Sequence, residues 1–163
     1  MKIKTSMAIA AAVAALASTA GAETLEKLTF AEAVDAADIA VVGKVTGSSI
    51  VESDGQVYTV TEFDTQDTVF GQVGGTFSVR FPGGRLQNTL VPMGEVVAGS
   101  PSFFVNSEAL LLLDQSADGL NVVGYNQGIF PVVTGKVALP NDKGGMVSLD
   151  KAKSAVAREK ADK

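Results

Sequence analysis

The chain has 163 residues with no histidine, no cysteine and no tryptophan, and 13 basic residues stand against 18 acidic ones. This composition excludes Ser-His-Asp and Cys-His catalysis, ordinary zinc sites and disulfide stapling. It also disfavours nucleic acid as a partner, because between residues 45 and 135 only Arg80 and Arg85 are basic, against nine acids.

Residues 1–22 read as a signal peptide. Lys2 and Lys4 form a positive start, an alanine-rich apolar stretch follows from residue 7 to 16, and Ala20-Gly21-Ala22 is a small-x-small cleavage site. The apolar stretch is shorter than the ~20 residues a membrane-spanning helix needs. Cleavage after Ala22 therefore predicts a periplasmic or secreted protein with no transmembrane segment in its mature chain. Residues 23–147 are expected to form one β-barrel domain and residues 148–163 a C-terminal helix or tail.

Thr29-Phe30-Ala31-Glu32 is a capping box and predicts a short helix to about Ala37, with Phe30, Ala33 and Val34 turned inward. The β-rich run "IAVVGKV" starts a first strand at Ile39. Asp54-Gly55 is a type I′ hairpin signal, and a long second strand follows over residues 57–70. In it Val57, Thr59, Thr61, Phe63 and Thr65 alternate with Tyr58, Val60, Glu62 and Asp64. After a turn at residues 71–75, Phe77, Val79 and Phe81 alternate along a third strand that Pro82 stops.

Residues 88–107 carry Pro92, Gly94, Gly99 and Pro101 and no helical pattern. An apolar strand at residues 110–113 turns at Asp118-Gly119 into "LNVVGYN". A short strand "IFPVV" follows, with Pro131 arguing for an edge position. Ser148 caps a last helix with Leu149, Ala152 and Val156 on one narrow stripe. The expected fold is mainly β: a small antiparallel OB-like barrel, closed or nearly closed, with a short N-terminal helix and a C-terminal helix.

Three chemistries remain open to these residues. Ser148 and Lys151 match the S-x-x-K of serine acyltransferases, but a helix N-cap explains the serine. Glu62 and Asp64 share a strand face about 7 Å apart, compatible with a two-carboxylate hydrolase, without an aromatic sugar platform nearby. Glu52, Asp54 and Glu62 are hard oxygen ligands, yet the order of a calcium loop is missing. No catalytic residue, metal or cofactor is expected.

The stretch "RFPGGR" follows a strand but precedes no helix start, so it is not a phosphate cradle. Its glycines serve either a tight turn or a protruding loop with Arg85 as a lone positive point.

In order along the chain stand "ADIAVVGKV" at 37–45, Tyr58, "PGG" at 82–84, "VAGSPSF" at 97–103, "EALLLL" at 108–113 and "VVGYNQGIF" at 122–130. This series resembles a family of uncharacterised exported bacterial β-barrel proteins. More remotely it is similar to the OB-fold barrel of netrin-like modules and tissue inhibitors of metalloproteinases. That likeness implies a five-stranded barrel and protein binding. It does not imply zinc chelation, which those inhibitors achieve through an N-terminal cysteine that this chain lacks.

The expectation is thus a non-enzymatic exported module that binds a protein or peptide, with an envelope or extracellular protein as partner. The residues expected to bind are Pro82, Gly83, Gly84, Arg85, Pro101, Phe103, Gln127 and Gly128. Pro101 and Phe103 serve equally as plugs over one barrel end. A periplasmic hydrolase using Glu62 and Asp64 and a small-ligand carrier with the barrel mouth as pocket are the alternatives.

Overall fold

The computed structural model describes residues 26–85, 94, 95, 97, 99–140 and 145–162. Residues 1–22, read from sequence as a signal peptide, lie outside them, as do residues 86–93 and the side chain of Arg85.

Helix α1 (Phe30–Ala36) starts at the predicted capping box: the Thr29 side chain accepts from the Glu32 amide, and the Glu32 carboxylate accepts from the Thr29 amide at 2.7 Å. The strands β1 (Ile39–Ser53), β2 (Gln56–Phe70) and β3 (Thr76–Pro82) follow as an antiparallel meander. Asp54 and Gly55 both take positive φ, 53° and 75°, as a type I′ turn requires. Beyond a two-residue ladder of β4 (Gly84–Arg85) with β5 (Gly94–Glu95) come β6 (Glu108–Ser116), β7 (Gly119–Val122) and β8 (Ile129–Val132). A small hairpin of β9 (Lys136–Ala138) and β10 (Met146–Ser148) then leads into helix α2 (Leu149–Ala161).

The main sheet has the order β3-β2-β1-β6-β7, with β8 paired to the same edge of β6 as β7. Three register shifts in β1, at Ala40/Val41, Val42/Gly43 and Val45/Gly47, bend the strand and curl the sheet. At the bend, a Cβ on Gly43 would stand 3.0 Å from both Phe63 and Phe77, so its absence makes room for that stacked ring pair. The curl brings the edges of β3 and β7 within 8 Å of one another between Cα atoms. No ladder joins them among the described residues. The predicted antiparallel β fold with two helices is therefore present, but the sheet does not close into a barrel.

Burial explains the four consecutive leucines of β6. Leu110 and Leu112 face the helices with Ala40, Val42, Phe30 and Val34, while Leu111 and Leu113 face the concave side with Val41, Val45, Phe63 and Phe81. A strand covered on both faces reads as a continuous apolar run rather than an alternating one. Strand β2 has one covered face, and it alternates: Val57, Thr61 and Phe63 are buried, and Glu62 is exposed.

The stripe of α2 does more than solvate a tail. Ala152 and Val156 are fully buried against the helix-side core, and Lys153 reaches Asp67 on β2 at 2.8 Å. The helix is thus docked on the sheet beside α1 rather than left in solvent.

Candidate functional site

Three loops interlock beside the end of β3. The first is Pro82-Gly83-Gly84. The Gly83 amide donates to the Val57 carbonyl at 2.7 Å, and the Thr59 hydroxyl donates to the Gly83 carbonyl at 2.8 Å. Gly84 has φ 149°, and a Cβ there would meet Thr59 Oγ1 at 2.9 Å and the Ile50 side chain at 3.0 Å. The glycines therefore let the chain lie directly on β1 and β2. They make a close-packed turn, not a protruding grip.

The second loop is residues 99–107. The Ser100 hydroxyl donates to the Pro82 carbonyl at 2.7 Å and also contacts the Tyr125 hydroxyl. A serine hydroxyl has a single proton, so Tyr125 is the donor to Ser100. The relay runs Tyr125 to Ser100 to Pro82. Phe103 turns inward, edge-on to Phe63 at 5.3 Å and tilted against Phe81 at 5.7 Å. Phe103 is thus a plug over the concave core, and Pro101 beside it is half-buried.

Phe104, its neighbour, is 78% exposed, and Val105 is 59% exposed. Their backbone is held from several sides. The Ser107 amide and hydroxyl both donate to the Phe104 carbonyl, at 2.9 and 2.6 Å. The Asn106 amide donates to Val45, and the Val45 amide donates back to Ser107, each at 2.8 Å. Asn106 takes φ 69°, a conformation asparagine tolerates at the third position of a type II turn. The result is an aromatic side chain in solvent on a fixed turn.

The third loop interrupts the strand that pairs with β6. The Val123 amide donates to the Leu112 carbonyl at 3.0 Å, and the Leu112 amide donates to the Gly128 carbonyl at 2.8 Å. Residues 124–127 are therefore an excursion between β7 and β8. Gly128 closes it, with Leu112 O so near that a Cβ would stand 2.7 Å away. From this excursion Asn126 donates to the Gly99 carbonyl at 2.8 Å. Gln127 accepts from the Leu28 amide and donates to the Glu26 carbonyl, both at 2.8 Å, which ties down the chain ahead of α1.

All three loops that carry the predicted binding residues are thus joined by hydrogen bonds. Gln127 spends its side chain on the chain's own backbone, and Gly128 serves the backbone approach. Phe104, Val105, Ser100 and Tyr125 were not singled out by sequence. The repeated aromatic in "SFFV" was the one available signal, and alternation across an irregular loop does not say which ring points out.

Strands β3 and β7 run parallel, since four antiparallel steps separate them in the sheet. Ser100 ties the end of β3, through Pro82, to Tyr125 just beyond β7. The opposite end of this seam holds a cavity of about 390 Å³, with Thr76 and Ser78 from β3, Leu120 from β7, and Ile39 and Phe77 among its walls.

Glu62 is exposed and Asp64 half-buried on the outer face of β2, where Lys44 stands opposite Asp64 in register. A hollow of about 390 Å³ with Thr46, Thr76, Phe77 and Ser78 adjoins Glu62. Ser148 accepts from the Lys151 amide as the N-cap of α2, the ordinary structural use of that serine. No group of three or more carboxylates placed to hold a metal occurs among the described residues, and no described helix is long and apolar enough to cross a membrane.

Comparison of the chain with protein-family models, with curated proteins and with solved structures finds no match.

Proposed function

We propose that this chain is an exported, non-enzymatic binding module that recognises a protein or peptide partner in the envelope or outside the cell. The observation that carries this reading is Phe104: an aromatic side chain, largely in solvent, on a turn locked by hydrogen bonds to β1 and anchored by the half-buried ring of Phe103 on Phe63 and Phe81. Aromatic residues, phenylalanine among them, are enriched at interfaces, and a pre-ordered backbone lowers the cost of binding through them. Loops held on a rigid sheet are where such anchors usually reside. Pro101 lies in the same loop as the anchor, and Ser100 joins that loop to Pro82, next to Gly83, Gly84 and Arg85. The absence of histidine and cysteine favours binding over hydrolysis.

The fold reading is an OB-like architecture whose last closure is a seam instead of a ladder. The strand order β3-β2-β1-β6-β7, with parallel outer strands facing one another, supports it. Export rests on the basic start, apolar stretch and Ala20-Gly21-Ala22 of the N-terminus.

Substituting Phe104→Asp tests the recognition surface without touching the core. Capture of the partner from a cross-linked envelope fraction should be lost, while Val133→Asp, at another exposed apolar position, should leave it intact.

A further inference from the structure

We infer that the open end of the β3–β7 seam is a second binding site, for a short, uncharged, extended peptide segment that pairs with the free edge of β3. None of the residues of the Phe104 turn lines it, and it does not depend on that reading.

The edge is identified by its hydrogen bonds. The Thr65 amide donates to the Gly75 carbonyl at 2.9 Å at one end of β3, and the Gly83 amide donates to Val57 at 2.7 Å at the other. Antiparallel alternation between these two bonds directs Gly75, Phe77, Val79, Phe81 and Gly83 toward β2. Thr76, Ser78, Arg80 and Pro82 then present their backbone groups to the seam. Pro82 obeys this assignment twice: it has no amide to offer, and its carbonyl accepts from Ser100 on the seam side. The same reasoning on β7, where the Val123 amide donates to β6, places the Leu120 backbone on the seam.

Two strand edges therefore face one another without a ladder. At the end closed by Ser100 no room is implied for a further strand. At the other end lies the 390 Å³ cavity, toward the small end of ligand-site volumes of about 300–1,000 Å³. No ionisable side chain lines it, although the protein is acidic; its polar groups are the hydroxyls of Thr76 and Ser78 and the amides of Gln72 and Gln115. A charged ligand would find no counter-charge there. A peptide backbone repeats donors and acceptors at the spacing of a strand edge, and the apolar walls accept small β-branched side chains.

The test is a titration of the 15N-labelled protein with the capped peptide Ac-Thr-Val-Thr-Val-Thr-NH2, followed by amide chemical shifts. The expected result is saturable shifts at Thr76, Ser78 and Leu120, with slowed hydrogen exchange at the Thr76 and Ser78 amides. The same peptide methylated at alternate backbone nitrogens should bind about tenfold more weakly, from the loss of one or two hydrogen bonds. Ser78→Pro, which removes an amide facing the seam, should abolish the shifts; should it fail to fold, Leu120→Glu, which places a charge in the cavity, should do so instead. Phe104→Asp should leave the titration unchanged. No saturable shift at these residues, equal binding of the methylated peptide, or equal shifts with maltotriose as a neutral polyol would each overturn the proposal.

Discussion

The ammonium of Lys160, near the end of α2, donates to the carbonyl oxygen of Ala37 at 2.7 Å and so closes the C-terminus of α1. It also reaches the Asp35 and Val34 carbonyls, at 3.1 and 3.4 Å, and lies 5.1 Å from the centre of the Phe70 ring. Helix α1 has no basic residue of its own in its last turn, so the cation its dipole favours comes from the other helix. Lys160→Met keeps the aliphatic stem and removes the charge. It should lower unfolding stability by about 1–2 kcal/mol, read from urea denaturation, and speed amide exchange in α1 first.

Gln127 should be irreplaceable in a different way. Its side-chain amide satisfies a donor and an acceptor of the segment at residues 26–28, about a hundred positions away in sequence. Gln127→Ala leaves both without a partner and should cost about 1–3 kcal/mol. Gln127→Glu keeps the acceptor for Leu28 and loses the donor, so it should fall between. Limited proteolysis ahead of α1 alongside urea denaturation separates the two variants.

Ser100 should behave as a shared pin. Ser100→Ala and Tyr125→Phe each break the relay to Pro82, and each should destabilise the protein by about 1 kcal/mol. Because both act on one chain of hydrogen bonds, the double variant should cost less than the two singles added. Hydrogen exchange should quicken at residues 80–83 and 122–126 before the rest of the sheet. Strict additivity, with no local change in exchange, would remove the pin.

Much of this fold is legible where chemistry is local. The capping box at Thr29 and Glu32, the Asp54-Gly55 turn and the alternation from Phe77 to Phe81 each depend on neighbours a few residues apart. The seam is not legible, because whether β3 meets β7 depends on the total bend from three bulges in β1. The docking of α2 is not legible either, since a stripe as narrow as Ala152 and Val156 does not say which surface covers it. The site was half visible: "PGG" and "NQG" mark loops that the fold brings together. Yet the glycines pack backbone on backbone, and the exposed group is Phe104, whose neighbour Phe103 carries the same ring inward.

The helix–sheet contact through Lys153 predicts a pH response. Asp67 is held below its ordinary value of 3.8, chiefly by the hydrogen bond from Lys153; slight desolvation opposes this, and the Lys153 charge and the Thr68 amide add to it. A lowered folded-state value means the unfolded chain binds its proton first, so the contribution is fully present above about pH 4 and fades as the pH falls below it. Lys153 is raised by its hydrogen bonds to Asp150 and Asp67, so its share is present below its ordinary 10.5 and is lost only in strong alkali. Asp67 is half-exposed, and the gain is accordingly small and salt-sensitive. Asp67→Asn should flatten the acid limb of stability between about pH 4 and 2 by slightly lowering stability at neutral pH, with little change at the acid end. Urea midpoints across that range, at low and high salt, read this directly.

The most direct measurement of the central claim is site-specific photo-cross-linking in living cells. A benzophenone amino acid replaces Phe104 in one strain and Val133 in another. Recognition through the locked turn predicts a discrete cross-linked species from position 104 that is missing from position 133 and weakened by Arg85→Ala. The same partner captured equally from both positions, or no adduct from position 104, would contradict it.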